Sequence, residues 1–121
     1  MVDQILITQA SYCVAAVLIS FGGVIGKVGP KELLVMAVIE VIGYALNEVV
    51  VAYSVGAFDA GGSMSIHAFG AYFGLTVSIV LSSKIKPVRR AVSNYSSNIT
   101  ALIGTLFLWL FWPSFNFGVA A

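Results

Sequence analysis

Few residues in this chain could do chemistry, and the most suggestive ones lie close together. The stretch Asp59-Ala60-Gly61-Gly62-Ser63-Met64-Ser65-Ile66-His67-Ala68-Phe69-Gly70-Ala71-Tyr72-Phe73-Gly74 sets an acid eight residues ahead of the sole histidine, in apolar surroundings. A neutral imidazole donates a hydrogen bond from one ring nitrogen and accepts at the other. If the helix starts at Asp59, a rise of 1.5 Å per residue puts His67 about 12 Å further along. The plainer alternative is a histidine satisfied between packed helices. Asp59 has a plain role too, since an acid at a helix start accepts from free backbone N–H groups and complements the dipole. Attraction of a cation to the mouth of a pathway would come in addition.

Upstream lie Glu40, Asn47 and Glu48 in another apolar run. Glu48 is near the end of that run, within reach of lipid headgroups. Glu40 is near its middle, where a carboxyl must be protonated or hydrogen-bonded to a neighbouring helix. No nucleophile is spaced with a base, so the chain does not read as an enzyme. The single cysteine, Cys13, excludes an internal disulfide and a cysteine zinc cluster, and no metal or cofactor is expected.

These residues must be positioned by elements suited to lipid. The chain has 121 residues, 60% of them hydrophobic and 9% charged. A soluble domain carries about 25% charged residues, so a chain this small cannot clothe a water-facing surface. The net charge of +1 offers no basic surface for nucleic acid. Crossing a hydrocarbon core takes about 20 apolar residues, and four segments qualify: about 5–25, 32–53, 59–81 and 97–112. The reading is an all-α membrane protein of four transmembrane helices in one domain. The first segment lacks a basic n-region, so it reads as a permanent span and not a cleaved signal. Pro30, Pro87 and Pro113 all fall outside the predicted spans, with Pro113 closing the fourth.

Charge orients the bundle. Lys27 and Lys31 lie between the first two spans, and Lys84, Lys86, Arg89 and Arg90 between the last two. The positive-inside rule places loops 26–31 and 83–93 in the cytoplasm. The sequons at Asn94 and Asn98 then face the cytoplasm and stay unglycosylated. Gly70 and Gly74 form a small-x-x-x-small pair suited to close helix packing. Trp109 and Trp112 fit an interfacial aromatic belt. Phe115 has the chemistry of a lipid anchor and equally of a ring lining a pore.

Two long stretches, the one from Asp59 to Leu75 and Gly104-Thr-Leu-Phe-Leu-Trp-Leu-Phe-Trp-Pro-Ser-Phe-Asn116, together resemble the Rh glycoproteins of the ammonium transporter superfamily. Ser20-Phe21-Gly22 to Gly26-Lys27 and the pair Asn47-Glu48 share the likeness, which covers nearly the whole chain. The resemblance implies a segment equivalent to the third to sixth helices of an eleven- or twelve-helix fold, with a pore in each subunit of a homotrimer in the plasma membrane. It implies conduction of ammonia or ammonium, with carbon dioxide a second candidate gas. On it, His67 matches the first of two pore histidines that share a hydrogen bond, and Phe115 one of two phenylalanines at the outer constriction. Tyr12 stands where the other phenylalanine is expected. Asp59 matches the acid ordering the outer end of the histidine helix, and Glu48 and Asn116 are possible supporting residues. A non-conducting scaffold of the same fold is the alternative, and a small independent pathway built on His67, Glu40 and Asp59 is a third reading.

Overall fold

The computed structural model describes residues 3–82 and 92–117, and every regular element among them is helical. Helix α1 spans Gln4–Val24, α2 Pro30–Val49, α3 Phe69–Ser82 and α4 Tyr95–Phe117. Two wider turns with hydrogen bonds from residue i to i−5 extend this set. One, Val50–Ser54, prolongs α2, and the other, Ser63–Ala68, leads into α3. Counting these turns, four helices are long and apolar enough to cross a membrane: Gln4–Val24, Pro30–Ser54, Ser63–Leu81 and Tyr95–Phe117. Their free surface is dominated by side chains such as Leu34, Tyr72, Leu110 and Trp109, as expected where lipid is the solvent.

Local signals set the boundaries. The Asp3 carboxylate accepts from the Leu6 N–H at 2.8 Å and caps α1. Pro30 opens α2, where its missing N–H costs nothing, and Glu32 follows in the first turn. Asn94 caps α4 reciprocally: its Oδ1 accepts from the Ser97 N–H, and its own N–H donates to Ser97 Oγ. That sequon asparagine is therefore engaged in holding a helix end.

Two boundaries differ from those the sequence suggests. The helix bearing His67 begins at Ser63 instead of Asp59, so His67 lies only about 6 Å along it by helical rise. The cause is the Gly61-Gly62 pair, whose φ values of 77° and 67° break the helix before it can reach back to Asp59. Helix α4 also continues through Pro113 to Phe117. Proline removes one donor there, but leaving the helix in an apolar environment would strand several backbone groups. The basic residues Lys84, Lys86, Arg89 and Arg90 lie outside the described residues.

The core sits where α1, α2 and α3 meet, around Ala16, Ser20, Glu40, Tyr44 and Ile66. Helices α1 and α3 approach most closely, because their contact is lined by glycine. A Cβ added to Gly70 would lie 2.7 Å from the Ala16 carbonyl oxygen, and one on Gly74 would lie 2.7 Å from the Ser20 Cα. Below the close contact, Lys27 Nζ donates to Ser78 Oγ at 2.7 Å and ties the far ends of the two helices. Helix α4 has no buried residue and meets the others through Trp112, Phe115 and Asn116.

Candidate functional site

The turn before α3 organises the candidate site. Asp59 lies ahead of the helix and turns its carboxylate onto the first free N–H groups. It accepts from the Ser65 N–H at 2.7 Å, from the Ser65 hydroxyl at 2.8 Å and from the Met64 N–H at 3.1 Å. Burial by itself raises this carboxyl's pKa, but the bonds from Ser65, Met64 and Ser63 outweigh that effect and hold it below the usual aspartate value. The plain capping role is thus present in the geometry. Asn47 of α2 adds a second tie, donating from Nδ2 to the Ser65 carbonyl at 3.1 Å.

His67 is seated by the same turn. The Gly62 carbonyl oxygen lies 2.9 Å from the His67 N–H and 3.0 Å from its ring Nδ1. A carbonyl can only accept, so Nδ1 carries a proton, and in the neutral ring Nε2 is then the acceptor. The resemblance implies that the histidine shares a hydrogen bond with a second pore histidine. Here Nδ1 is engaged within its own helix, and Nε2 is the nitrogen left for another partner.

Aromatic rings surround the imidazole. Trp112 meets it edge to face at 5.3 Å, and Phe115 does so at 6.0 Å. Trp112 and Phe115 stack on each other at 5.5 Å, and Tyr12 of α1 meets Phe115 edge to face at 5.8 Å. Three helices thus bring Tyr12, His67 and Phe115 to one place. Trp112 joins them, which the belt assignment missed. The available signal was the three-residue spacing from Trp112 to Phe115, which puts both on one helix face. Trp109 remains 77% exposed, a suitable lipid-facing ring.

Glu48 and Asp59 line a cavity of about 540 Å³ with Gln9, Tyr12, Tyr44 and Ser65. Glu48 therefore faces an inter-helix space that reaches the aromatic cluster through Tyr12. Asn116 packs on the Gly61-Gly62 turn. A Cβ at Gly61 would meet Asn116 Oδ1, and the turn needs glycine for its positive φ. Among the described residues no cluster of three or more histidine, cysteine, aspartate or glutamate side chains could hold a metal ion.

This assembly combines a cavity bearing two acids, a ring cluster and an imidazole. It can concentrate a small cation at its mouth, and past the rings it offers one hydrogen-bond acceptor in an otherwise apolar setting.

Comparison with known proteins gives a consistent picture. A family model described as Ammonium Transporter Family matches residues 2–121. The chain is 54% identical over 115 residues to the ammonium transporter Rh type B of Homo sapiens, covering 93% of this chain and 25% of that protein. It is 55% identical over 110 residues to the Rh type B protein of Sus scrofa, covering 89% of this chain and 24% of the relative. The Rh type B-A protein of Xenopus laevis is 54% identical over 115 residues, with 93% and 25% covered. The chain spans about a quarter of the length of the curated relatives it matches.

Proposed function

The chain belongs to the Ammonium Transporter Family, and on that premise we propose that it forms part of the wall of an Rh-type channel conducting ammonia, with His67 on the pathway. The observation that carries this reading is the seating of His67 beneath Trp112, Phe115 and Tyr12, with Nδ1 protonated and held by Gly62. A cation reaching the rings must shed its hydration shell, which costs many kcal/mol in apolar surroundings, so ammonium gives up its proton to water in the cavity before passing as ammonia. Neutral ammonia keeps a favourable path, because Nε2 accepts from its N–H without adding charge.

Each further residue takes a part in the same scheme. Glu48 and Asp59 draw the cation to the outer cavity, with Asp59 also fixing the turn that seats His67. Phe115 and Tyr12 form the constriction, Trp112 walls the imidazole, and Asn116 holds the Gly61-Gly62 turn. Conduction breaks no covalent bond of the protein, so no catalytic residue and no cofactor are assigned. The basic loops 26–31 and 83–93 face the cytoplasm of a multi-pass plasma-membrane protein. The complete gene product assembles as a homotrimer, whose other helices cover the faces exposed in this segment.

Stopped-flow ammonia uptake into proteoliposomes containing the complete gene product tests the reading. Permeability well above that of protein-free vesicles is expected. Equal permeability would favour a non-conducting scaffold of the same fold.

A further inference from the structure

Glu40 is fully buried between α1, α2 and α3, as is Ser20, and neither takes part in the site above. The Ser20 hydroxyl makes two contacts there. One is to Glu40 Oε1 and the other, at 2.7 Å, is to the carbonyl oxygen of Gly70. A serine hydroxyl carries a single hydrogen and can donate only once. The Gly70 carbonyl has no hydrogen to give, so Ser20 must donate to it. The remaining contact is then favourable only if Glu40 supplies the proton.

The alternative fails on two counts. If Glu40 were a carboxylate and Ser20 donated to it, the Gly70 carbonyl would face Ser20 Oγ acceptor to acceptor at hydrogen-bond distance. Glu40 Oε2 also has no hydrogen-bond partner among the described residues. A neutral carboxyl leaves only a bare carbonyl oxygen, whereas a carboxylate would leave a buried charge without compensation. Lys27, the basic side chain at the end of α1, is bonded to Ser78 Oγ and the Gly23 carbonyl. The other titratable groups of the packed elements are Tyr12 and Cys13 on α1, Lys31, Glu32, Tyr44 and Glu48 on α2, and His67 and Tyr72 on the third helix, and among the described residues none forms an ion pair with Glu40.

We propose that Glu40 is a neutral carboxylic acid whose proton starts a one-way relay, Glu40 to Ser20 to the Gly70 carbonyl, clasping α2 and α1 onto the helix that carries His67. Gly70 stands three residues after His67, on the same helix side. The clasp fixes the height of that helix against α1 where Gly70 and Gly74 leave no side chain to do so. Glu40 is therefore a positioning residue for His67, which rests on the channel reading above. Its protonation and the relay do not.

The test is infrared absorption of the complete gene product in detergent at neutral pH, read without ammonia. Wild type minus E40Q should show the carbonyl stretch of a protonated carboxyl. S20A should keep that band but shift it upward in frequency, as expected for a carboxyl that has lost its acceptor. Glutamine keeps an N–H donor for Ser20, so E40Q should melt close to wild type, while E40A and S20A should each melt several degrees lower. A carboxylate band in the wild-type minus E40Q difference would overturn the proposal. So would E40Q melting as low as E40A, or an unshifted band in S20A. If E40Q fails to fold, the S20A band shift reads the same bond. These readouts do not depend on conduction, so a protein that fails to carry ammonia still decides them.

Discussion

The imidazole of His67 donates from Nδ1 to the Gly62 carbonyl oxygen, 3.0 Å away, one turn back on the same chain. Gly62 adopts φ 67° to present that carbonyl, which also accepts the backbone N–H groups of Ile66 and His67. The tautomer and orientation of the one histidine are therefore set by a glycine that only glycine can replace without strain.

Replacing Gly62 should unseat the ring. A Cβ there would lie 2.3 Å from Ile66 Cδ1, and a left-handed backbone costs an L-residue roughly 1–2 kcal/mol before that clash is counted. Gly62→Ala should lower the melting temperature of the complete gene product by several degrees and reduce ammonia flux further than the lost stability explains. Gly22→Ala is the control, because no atom lies within 4 Å of its added Cβ.

Asp59→Ala should cost about 0.5–2 kcal/mol, the usual worth of an N-cap. The pH dependence follows from the lowered pKa of this carboxyl. A group with a depressed folded pKa contributes stability above its unfolded value, about 3.9 for aspartate, and loses it as pH falls through the folded value. The melting difference between wild type and Asp59→Asn should be constant near neutrality and close below about pH 4. A difference that persists well below that pH would show the cap does not act through the ionised carboxylate.

Trp109 and Trp112 are three residues apart yet should behave differently. Trp112→Leu removes the ring 5.3 Å from His67 and should change ammonia permeability severalfold. Trp109→Leu alters a lipid-exposed ring and should leave permeability near wild type. Equal effects of the two substitutions would return Trp112 to the interfacial belt.

The α1–α3 contact is the most sensitive in the core. Gly74→Val would drive a branched side chain into Ser20, whose Cα would lie 2.7 Å from the new Cβ. Overpacking of this kind costs about 1–3 kcal/mol or more. The melting temperature should fall by more than for any single substitution on α4, where no residue is buried.

The helical spans were readable in the sequence because length and apolar composition suffice in lipid, where every backbone group must bond within its own helix. The pairing of Gly70 and Gly74 with α1 was also foreseeable as close packing. The start of the His67 helix was not, because an acid at a span boundary looks the same whether it sits at the cap or four residues before the helix begins. The Gly61-Gly62 pair was the cue, since two adjacent glycines before a helix favour a left-handed turn. The contact of Trp112 with His67 was not foreseen, because tryptophan near a span end usually belongs to the interface. The partner of Glu40 was out of reach, because Ser20 lies twenty residues away and meets it only once α1 and α2 have packed.

The central claim, that His67 lies on the conduction path, is tested most directly by ammonia flux through the complete gene product with His67→Ala, compared with wild type at equal protein density in proteoliposomes. Loss of a hydrogen-bonding group worth about 1.4 kcal/mol corresponds to a tenfold change, so protein-dependent flux should fall about tenfold. Unchanged flux from a folded His67→Ala protein would contradict the account and place the pathway elsewhere.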